Sequence, residues 1–595
     1  MRILQGAGNL RGLYCGFIIC LLSTAVYAII EPSQVLILVN QNSPASRYIA
    51  KLYQQYYPQI DNSQILYLRD DANFPDLHLP DCSGPDSMPA DEIITRQEYE
   101  KLIAEPVRKY LVQNNMVNSI YVIITTAGLP YRIADSTYSN IVTPAGGIGY
   151  ASSLVSSIDA ASVESELAVL FQNDPNNPLS VGSFDRVVNP YQGYRNSGIE
   201  LFNRNILNNL SNLDWHRPRK LTASHYPPWM EGGRARNEGV QQRKYSAGDM
   251  YLTCRLDGPK QLGQTAITSV HNMLERAKKA SSTAYGVNPA QAAVIVDDAP
   301  LAMNHNYNRI YNVDRYVNYL IWQAGVQQPP DTYYAEYRDD YDSGYFQMTG
   351  QYAVEEILNS NIMSAAHNIP VICDKRMSIR LNQSVLSAGE LVLALACFGT
   401  NGDEASNKYY LLNGGPAGGP LFNTTNGAVF CSIESFNAVT MFSNASSSQA
   451  KIVDFITIGG TAAIGHSFEP LSDATIDTEF LFYNLLADSD SDGFADMTFI
   501  EAAFTAIPYL SWSEVVIGDP LMRIAYGPGG EAEYIVPGDV DGNGQIDVSD
   551  VYWWTQAYLG SLDSEQQQSF ENYNDLSDLD SDGEINLKDF AAFFQ

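Results

Sequence analysis

Val35-Leu36-Ile37-Leu38-Val39 is an unbroken apolar run that passes into Asn40 to Ser43 and then into a helical pattern near 44–57. A short run rich in branched residues and closed by polar turn residues predicts a strand buried on both faces. Ile65–Leu68 predicts a second strand. Thr95, with Glu98 three residues on, forms a capping box that opens a helix through Tyr99, Leu102, Ile103, Val107 and Tyr110, with Pro106 expected to kink it. Further strands are predicted over Ile120–Thr125, Ala292–Val296, Leu391–Ala396 and Ala428–Ser432, and a helix carries Ile267, Val270 and Leu274 on one face. Strands separated by helices give an α/β body with a largely parallel sheet flanked by helices. Residues 180–260, rich in Asn, Arg, Tyr and Pro, match neither period and read as long loops or an insertion.

The chain of 595 residues is long enough for several domains. Its formal charge of −32 argues against nucleic acid or anionic lipid as a partner. Arg2 and Arg11 flank the start of an apolar run from Leu13 to Val26, which ends in Val26-Tyr27-Ala28; this is the pattern of a secretory signal peptide over residues 1–28. An uncleaved anchor is the competing reading, for which the run is short. The remainder is expected outside the cytoplasm, secreted or at the cell surface, with no membrane span. Beyond the signal, Cys82, Cys254, Cys373, Cys397 and Cys431 are scattered and odd in number, which fits buried small hydrophobes better than a disulfide framework. The organisation read from the sequence is a body over 29–525, a linker over 526–537 and a small all-α module over 538–595.

That last module contains a twelve-residue acidic loop twice. Asp539, Asp541 and Asn543 fall at positions 1, 3 and 5, Gly544 at 6, Gln545 at 7, and Asp547 and Asp550 at 9 and 12. Asp578, Asp580, Asp582, Gly583, Glu584, Asn586 and Asp589 repeat the pattern. A hard cation such as calcium takes about six to eight oxygens, and this spacing wraps alternate side chains and one carbonyl around a point while glycine bends the backbone. The module holds 13 acids and one base, so without the ion it repels itself. A solvated acidic linker is the plain alternative. A third candidate loop, Asp488, Asp490, Asp492, Phe494 and Asp496, matches the first nine positions; Phe499 stands at position 12, and Glu501 is placed to substitute.

Tyr534-Ile535-Val536-Pro537-Gly538 cannot form a helix entering the first loop, whereas Asp550 to Leu559 and Asp589 to Phe594 have the character of exiting helices. Two loop-plus-one-helix repeats with aspartate at position 12 resemble the type I dockerin family over 538–595. The resemblance implies a calcium-folded module that docks to a cohesin domain through the loop ends, at Val548, Ser549, Leu587 and Lys588. Dockerins often ride on glycoside hydrolases, so polysaccharide hydrolysis is one function the resemblance allows for the body.

The body resembles an uncharacterised bacterial secreted family associated with exosortase-carrying species. The resemblance rests on Val39-Asn40 with Ser43-Pro44, Thr126-Ala127-Gly128-Leu129-Pro130-Tyr131-Arg132, Ser162 to Leu167, Arg255-Leu256-Asp257-Gly258-Pro259, and Ser511-Trp512 with Val516 to Leu521. It implies one long module and brings no established activity. A further resemblance is to caspase-like cysteine peptidases of the gingipain type, in which an apolar strand ends in Ala-Cys. Leu391 to Gly399 has that form, with Cys397 as the candidate nucleophile. In that family a His-Gly at the end of the preceding strand supplies the base; this sequence contains no His-Gly, and His367 and His466 are the histidines nearest in sequence. Asp297-Asp298, at a predicted strand end, is a separate candidate, where α/β proteins place their sites. His271 reads as a structural residue on its helix, and Gly414 to Pro420 as a loop.

Overall fold

The computed structural model describes residues 30–84, 87–133, 161–171, 187–189, 250–260, 266–297, 369–374, 391–398, 420–433, 436–442, 452–468, 476, 478–488, 491–507 and 509–529. The dockerin-like module lies outside them. At their centre is a ten-stranded sheet. In chain order its strands are β1 (Val35–Asn40), β2 (Ile65–Leu68), β3 (Val122–Thr126), β4 (Leu252–Leu256) and β5 (Ala292–Asp297). They continue as β6 (Val371–Asp374), β7 (Leu391–Phe398), β8 (Thr424–Ile433), β9 (Ala462–His466) and β10 (Glu514–Ile517).

Across the sheet the order is β2-β1-β3-β4-β10-β9-β8-β7-β5-β6. It divides into two halves of the same plan. In β2-β1-β3-β4-β10 every neighbouring pair is parallel, and so is every pair in β6-β5-β7-β8-β9. Within each half the order is second, first, third, fourth, fifth, one of the two common doubly wound arrangements. The halves join where β9 meets β10 antiparallel, from Ala463 opposite Ile517 to His466 opposite Glu514. They therefore run in opposite directions, and their carboxyl ends lie on opposite edges of the sheet. The largely parallel α/β body expected from the sequence is present, with this one antiparallel seam.

Alternation explains why β1 reads as continuously apolar. Val35, Ile37 and Val39 belong to the cluster that includes Ile49 and Tyr53 of α1 (Pro44–Tyr56) and Val270 and Leu274 of α2 (Ile267–Ala280). Leu36 and Leu38 belong to the cluster on the other face, with Leu102, Val107 and Leu111. The helix carrying those residues starts at the expected capping box, where Thr95 N–H donates to Glu98 Oε2 at 2.7 Å and Glu98 N–H to Thr95 Oγ1 at 3.2 Å. Pro106 does not break it. The turn over Tyr99–Ala104 widens to five-residue spacing, and the helix resumes over Glu105–Gln113. A widened turn lets the chain pass a residue that has no N–H and crowds the carbonyl four back.

The reading of 180–260 as loops or an insertion fails at its end. Leu252–Leu256 is β4, a central strand with every residue buried. Arg255 interrupts the apolar run and so hides the strand in the sequence; its burial there depends on Glu164 and Asp257 beside it. Val187–Val188 pairs with Tyr509–Leu510 as a small antiparallel ribbon. At the other end the body's hydrogen bonding extends past residue 525: Tyr526 N–H donates to Gly493 O and Gly527 N–H to Val287 O. Among the described residues no helix is long and apolar enough to cross a membrane.

Candidate functional site

Doubly wound sheets bind ligands beyond the carboxyl ends of their strands, where the strand order reverses. Here there are two such places, beside β1 and β3 in the first half and beside β5 and β7 in the second. Register makes them comparable. In the first half Leu68 is level with Asn40, and continuing the ladder from Leu38 opposite Thr125, and from Thr126 opposite Leu256, brings Ala127 and Asp257 to the same level. In the second half Asp374, Asp297, Cys397 and Ser432 stand level on four neighbouring strands.

The first row is closed by its own chain. Asn40, ending β1, donates its amide to Pro80 O at 2.9 Å and to Gly128 O at 2.8 Å, tying the segments after β2 and β3 to β1. Ser43 Oγ meets Ser83 Oγ at 2.9 Å, and Ser46 Oγ meets Thr126 Oγ1 at 2.5 Å. Gly128 has φ +100°, and a Cβ there would lie 2.3 Å from Ser43 Oγ, so only glycine fits. Asp257 is held by Arg255 at 3.2 Å and by Lys260 at 3.3 Å.

The charges around Asp257 extend this closure. Arg255 Nη2 lies 2.8 Å from Glu164 Oε1, its remaining donors reach Leu129 O and Pro130 O, and its guanidinium stands 5.1 Å from the centre of the Tyr131 ring. Lys260 Nζ also reaches Glu92 at 3.4 Å and Cys82 O at 3.1 Å. Burial works against the Lys260 ammonium, but Asp257, Cys82 and Glu92 beside it outweigh that, and it holds its proton above the ordinary lysine value. Burial pushes the Cys82 thiol up to about 12. The Ser162 to Leu167 and Ser511-Trp512 stretches interlock next to this group, through Trp512 N–H to Ser165 Oγ at 3.0 Å and Ser511 Oγ–H to Glu166 at 2.6 Å. Asp519 accepts from Tyr53 at 2.9 Å and Tyr57 at 2.5 Å. Residues from the ends of β1, β3 and β4, from 162–167 and from 511–519 are thus tied together by buried polar contacts.

At the second row the same positions carry different chemistry. Two candidates separate in sequence, Asp297 and Cys397, become register partners, and Asp374 and Ser432 extend the row on either side. Asn437 donates to Ser432 Oγ at 2.7 Å and accepts from His466 N–H at 2.6 Å, binding the ends of β8 and β9 together. His466 is level with Phe398 rather than Cys397 and stands two strands from it, on the order of 10 Å between backbones. Sequence reading did not single out Asp374, Ser432 or Asn437; a polar residue ending the run Val371-Ile372-Cys373 was the available signal for the first.

The remaining sequence candidates are dispersed. Asp298 and His367 lie outside the described residues, as do all twelve tail ligands and the four loop-end residues. His271 sits on α2 with its ring 6.1 Å from that of Tyr56, in keeping with a structural role. In the third acidic loop, Asp488 accepts from Asp492 N–H at 3.0 Å and Gly493 N–H at 3.1 Å, while Arg523 pairs with Asp492 at 3.3 Å. Glu501 turns to its own helix cap, accepting from Thr498 N–H and Oγ1–H at 2.8 Å each, and Asp490 lies outside the described residues. Among the described residues no group of three or more His, Cys, Asp or Glu is gathered to hold a metal ion.

Comparison with known proteins adds no relative: the chain matches no family model, no curated protein and no solved structure.

Proposed function

We propose that the chain is a secreted docking protein whose tail folds around calcium and fastens an α/β body to a cohesin-bearing partner. The observation that carries this reading is the position-for-position repeat of the acidic loop from Asp539 to Asp550 and from Asp578 to Asp589. The donor set is all oxygen, which fits calcium, and the ion supplies the positive charge against which the tail's carboxylates can be brought together. Val548, Ser549, Leu587 and Lys588 at the loop ends form the docking contact. Binding of the full-length chain to an immobilised cohesin domain tests the reading. Retention with calcium and release by excess chelator are expected; retention unaffected by chelator, or none in either condition, would count against it.

The body's own activity belongs to the second-half edge, because the equivalent first-half row is closed by amide locks and ion pairs. A cysteine peptidase is the second reading, favoured by the position of Cys397 at the end of a parallel strand beside the point where strand order reverses. It requires a base other than a histidine on β5 or β6, both of which end in aspartate. Peptide cleavage abolished in Cys397→Ala would support it, and cleavage unchanged by that substitution would remove it. Polysaccharide hydrolysis rests on the company dockerins keep, and no observation in the body favours it.

A further inference from the structure

We propose that Ser432 is the hydroxyl that activates Cys397, by donating its proton to the sulfur, and that Asn437 is the residue that positions it. Cys397, ending β7, is the register partner of Ser432 on β8. Level residues on adjacent parallel strands share a face of the sheet, with backbones about 4.8 Å apart. Continuing the ladder from Cys431 opposite Ile464 puts Gly465 of β9 level with Ser432 on its other side.

Asn437 fills the place that Gly465 leaves. A Cβ on Gly465 would lie 2.6 Å from Asn437 Oδ1, so the asparagine stands on the face that Ser432 shares, over β9 and away from β7. It is anchored there by His466 N–H, which donates to Oδ1 at 2.6 Å, and by Ile452 N–H, which donates to its carbonyl at 3.0 Å. From that side its amide donates to Ser432 Oγ at 2.7 Å. A hydroxyl has one proton to give, and accepting from an amide makes it a better donor. With Asn437 on the β9 side, the neighbour left in the row is Cys397 on the β7 side, and Ser432 is only 1% exposed, which keeps water from competing. A hydrogen bond donated to a charged group favours the charged form, so this O–H raises the fraction of Cys397 present as the attacking thiolate. The role belongs to the reading of Cys397 as a nucleophile, but thiol labelling needs no peptide substrate, so loss of this effect and absence of cleavage are separate results.

Iodoacetamide labelling of the full-length chain with calcium, across a pH series and with the Cys397 peptide mapped, tests the pair. Native Cys397 is expected to label with a midpoint below the ordinary thiol value of about 8.5, and Ser432→Ala to move that midpoint up by about one unit. Ser432→Thr keeps the hydroxyl and should hold the wild-type profile; Ser432→Gly serves should Ser432→Ala fail to fold. Asp297 on β5, His466 on β9 and Asp454 on the helix over Ile452–Thr457 are the same in every variant, so the shift reads the hydroxyl alone. Equal midpoints in wild type and Ser432→Ala, an equal shift in Ser432→Thr, or a Cys397 that labels only on unfolding would overturn the assignment.

Discussion

Cys397 and Asp297 end neighbouring parallel strands as register partners, at the level that Ala127 and Asn40 occupy in the other half of the sheet. An asparagine amide donates, and Asn40 uses both of its protons to lock two loops to β1. The equivalent position in the second half is an aspartate, a residue type without amide donors. One fold plan, used twice, has a sealed edge in the first half and chemically equipped residues in the second.

Sealing by Asn40 and Gly128 is testable by stability. Asn40→Asp keeps the shape, removes both donors and leaves two carbonyls facing a carboxylate; a loss of about 1–3 kcal/mol or more is expected. Gly128→Ala forces a side chain onto Ser43 at a left-handed backbone and should cost about 1–3 kcal/mol. Thermal denaturation measures both. Melting temperatures equal to wild type for the pair would show that the first edge is not closed in this way.

Among the described residues Lys260 pairs with both Asp257 and Glu92. Lys260→Met leaves those carboxylates buried beside one another with Arg255 alone in support. Removing one partner of a buried ion pair typically costs about 3–5 kcal/mol, so urea unfolding should show a loss of that order. A loss under about 1 kcal/mol would mean that the charges are far better solvated than their burial implies.

Cys82, Cys254 and Cys431 are fully buried, and burial raises each thiol above its ordinary value. Thiolate is the reactive form, so alkylation of the native protein should spare these three and reach them only on unfolding. Peptide mapping after iodoacetamide treatment gives the answer. Rapid native labelling of Cys82 would contradict the packing around Lys260.

Strand identity was legible wherever the apolar run was clean, as at Val35 to Val39 and Leu391 to Ala396. It failed at β4, because a buried arginine looks like a loop residue until Glu164 and Asp257 are seen beside it. The twofold plan was not legible, since it depends on pairing: β10 joins β4 across more than 250 residues of sequence, and no local pattern announces that. Asp297 stands out in the sequence as a polar residue ending a strand, and Cys397 through the resemblance of its strand to the Ala-Cys strand of gingipain-type peptidases. Their adjacency required the register.

Burial raises the Asp519 carboxyl above its ordinary value of 3.8, against the lowering effect of hydrogen bonds from Tyr57 and Tyr53. A carboxyl that holds its proton more tightly when folded favours the fold most at low pH. That contribution is lost as pH rises from the unfolded value through the raised one. Asp519→Asn removes the titration. Above pH 3.8 the melting temperature of the wild type should therefore decline more steeply, relative to the variant, as pH rises. Parallel pH profiles would show that Asp519 does not titrate in this window.

Calcium stoichiometry of the full-length chain tests the central claim most directly. Calorimetric titration should find two tail sites, with Asp550→Ala and Asp589→Ala each abolishing or markedly weakening one; any ion held by the 488–496 loop would persist through both changes. A chain that takes up no calcium, or whose binding is the same in both variants as in wild type, would contradict the docking account.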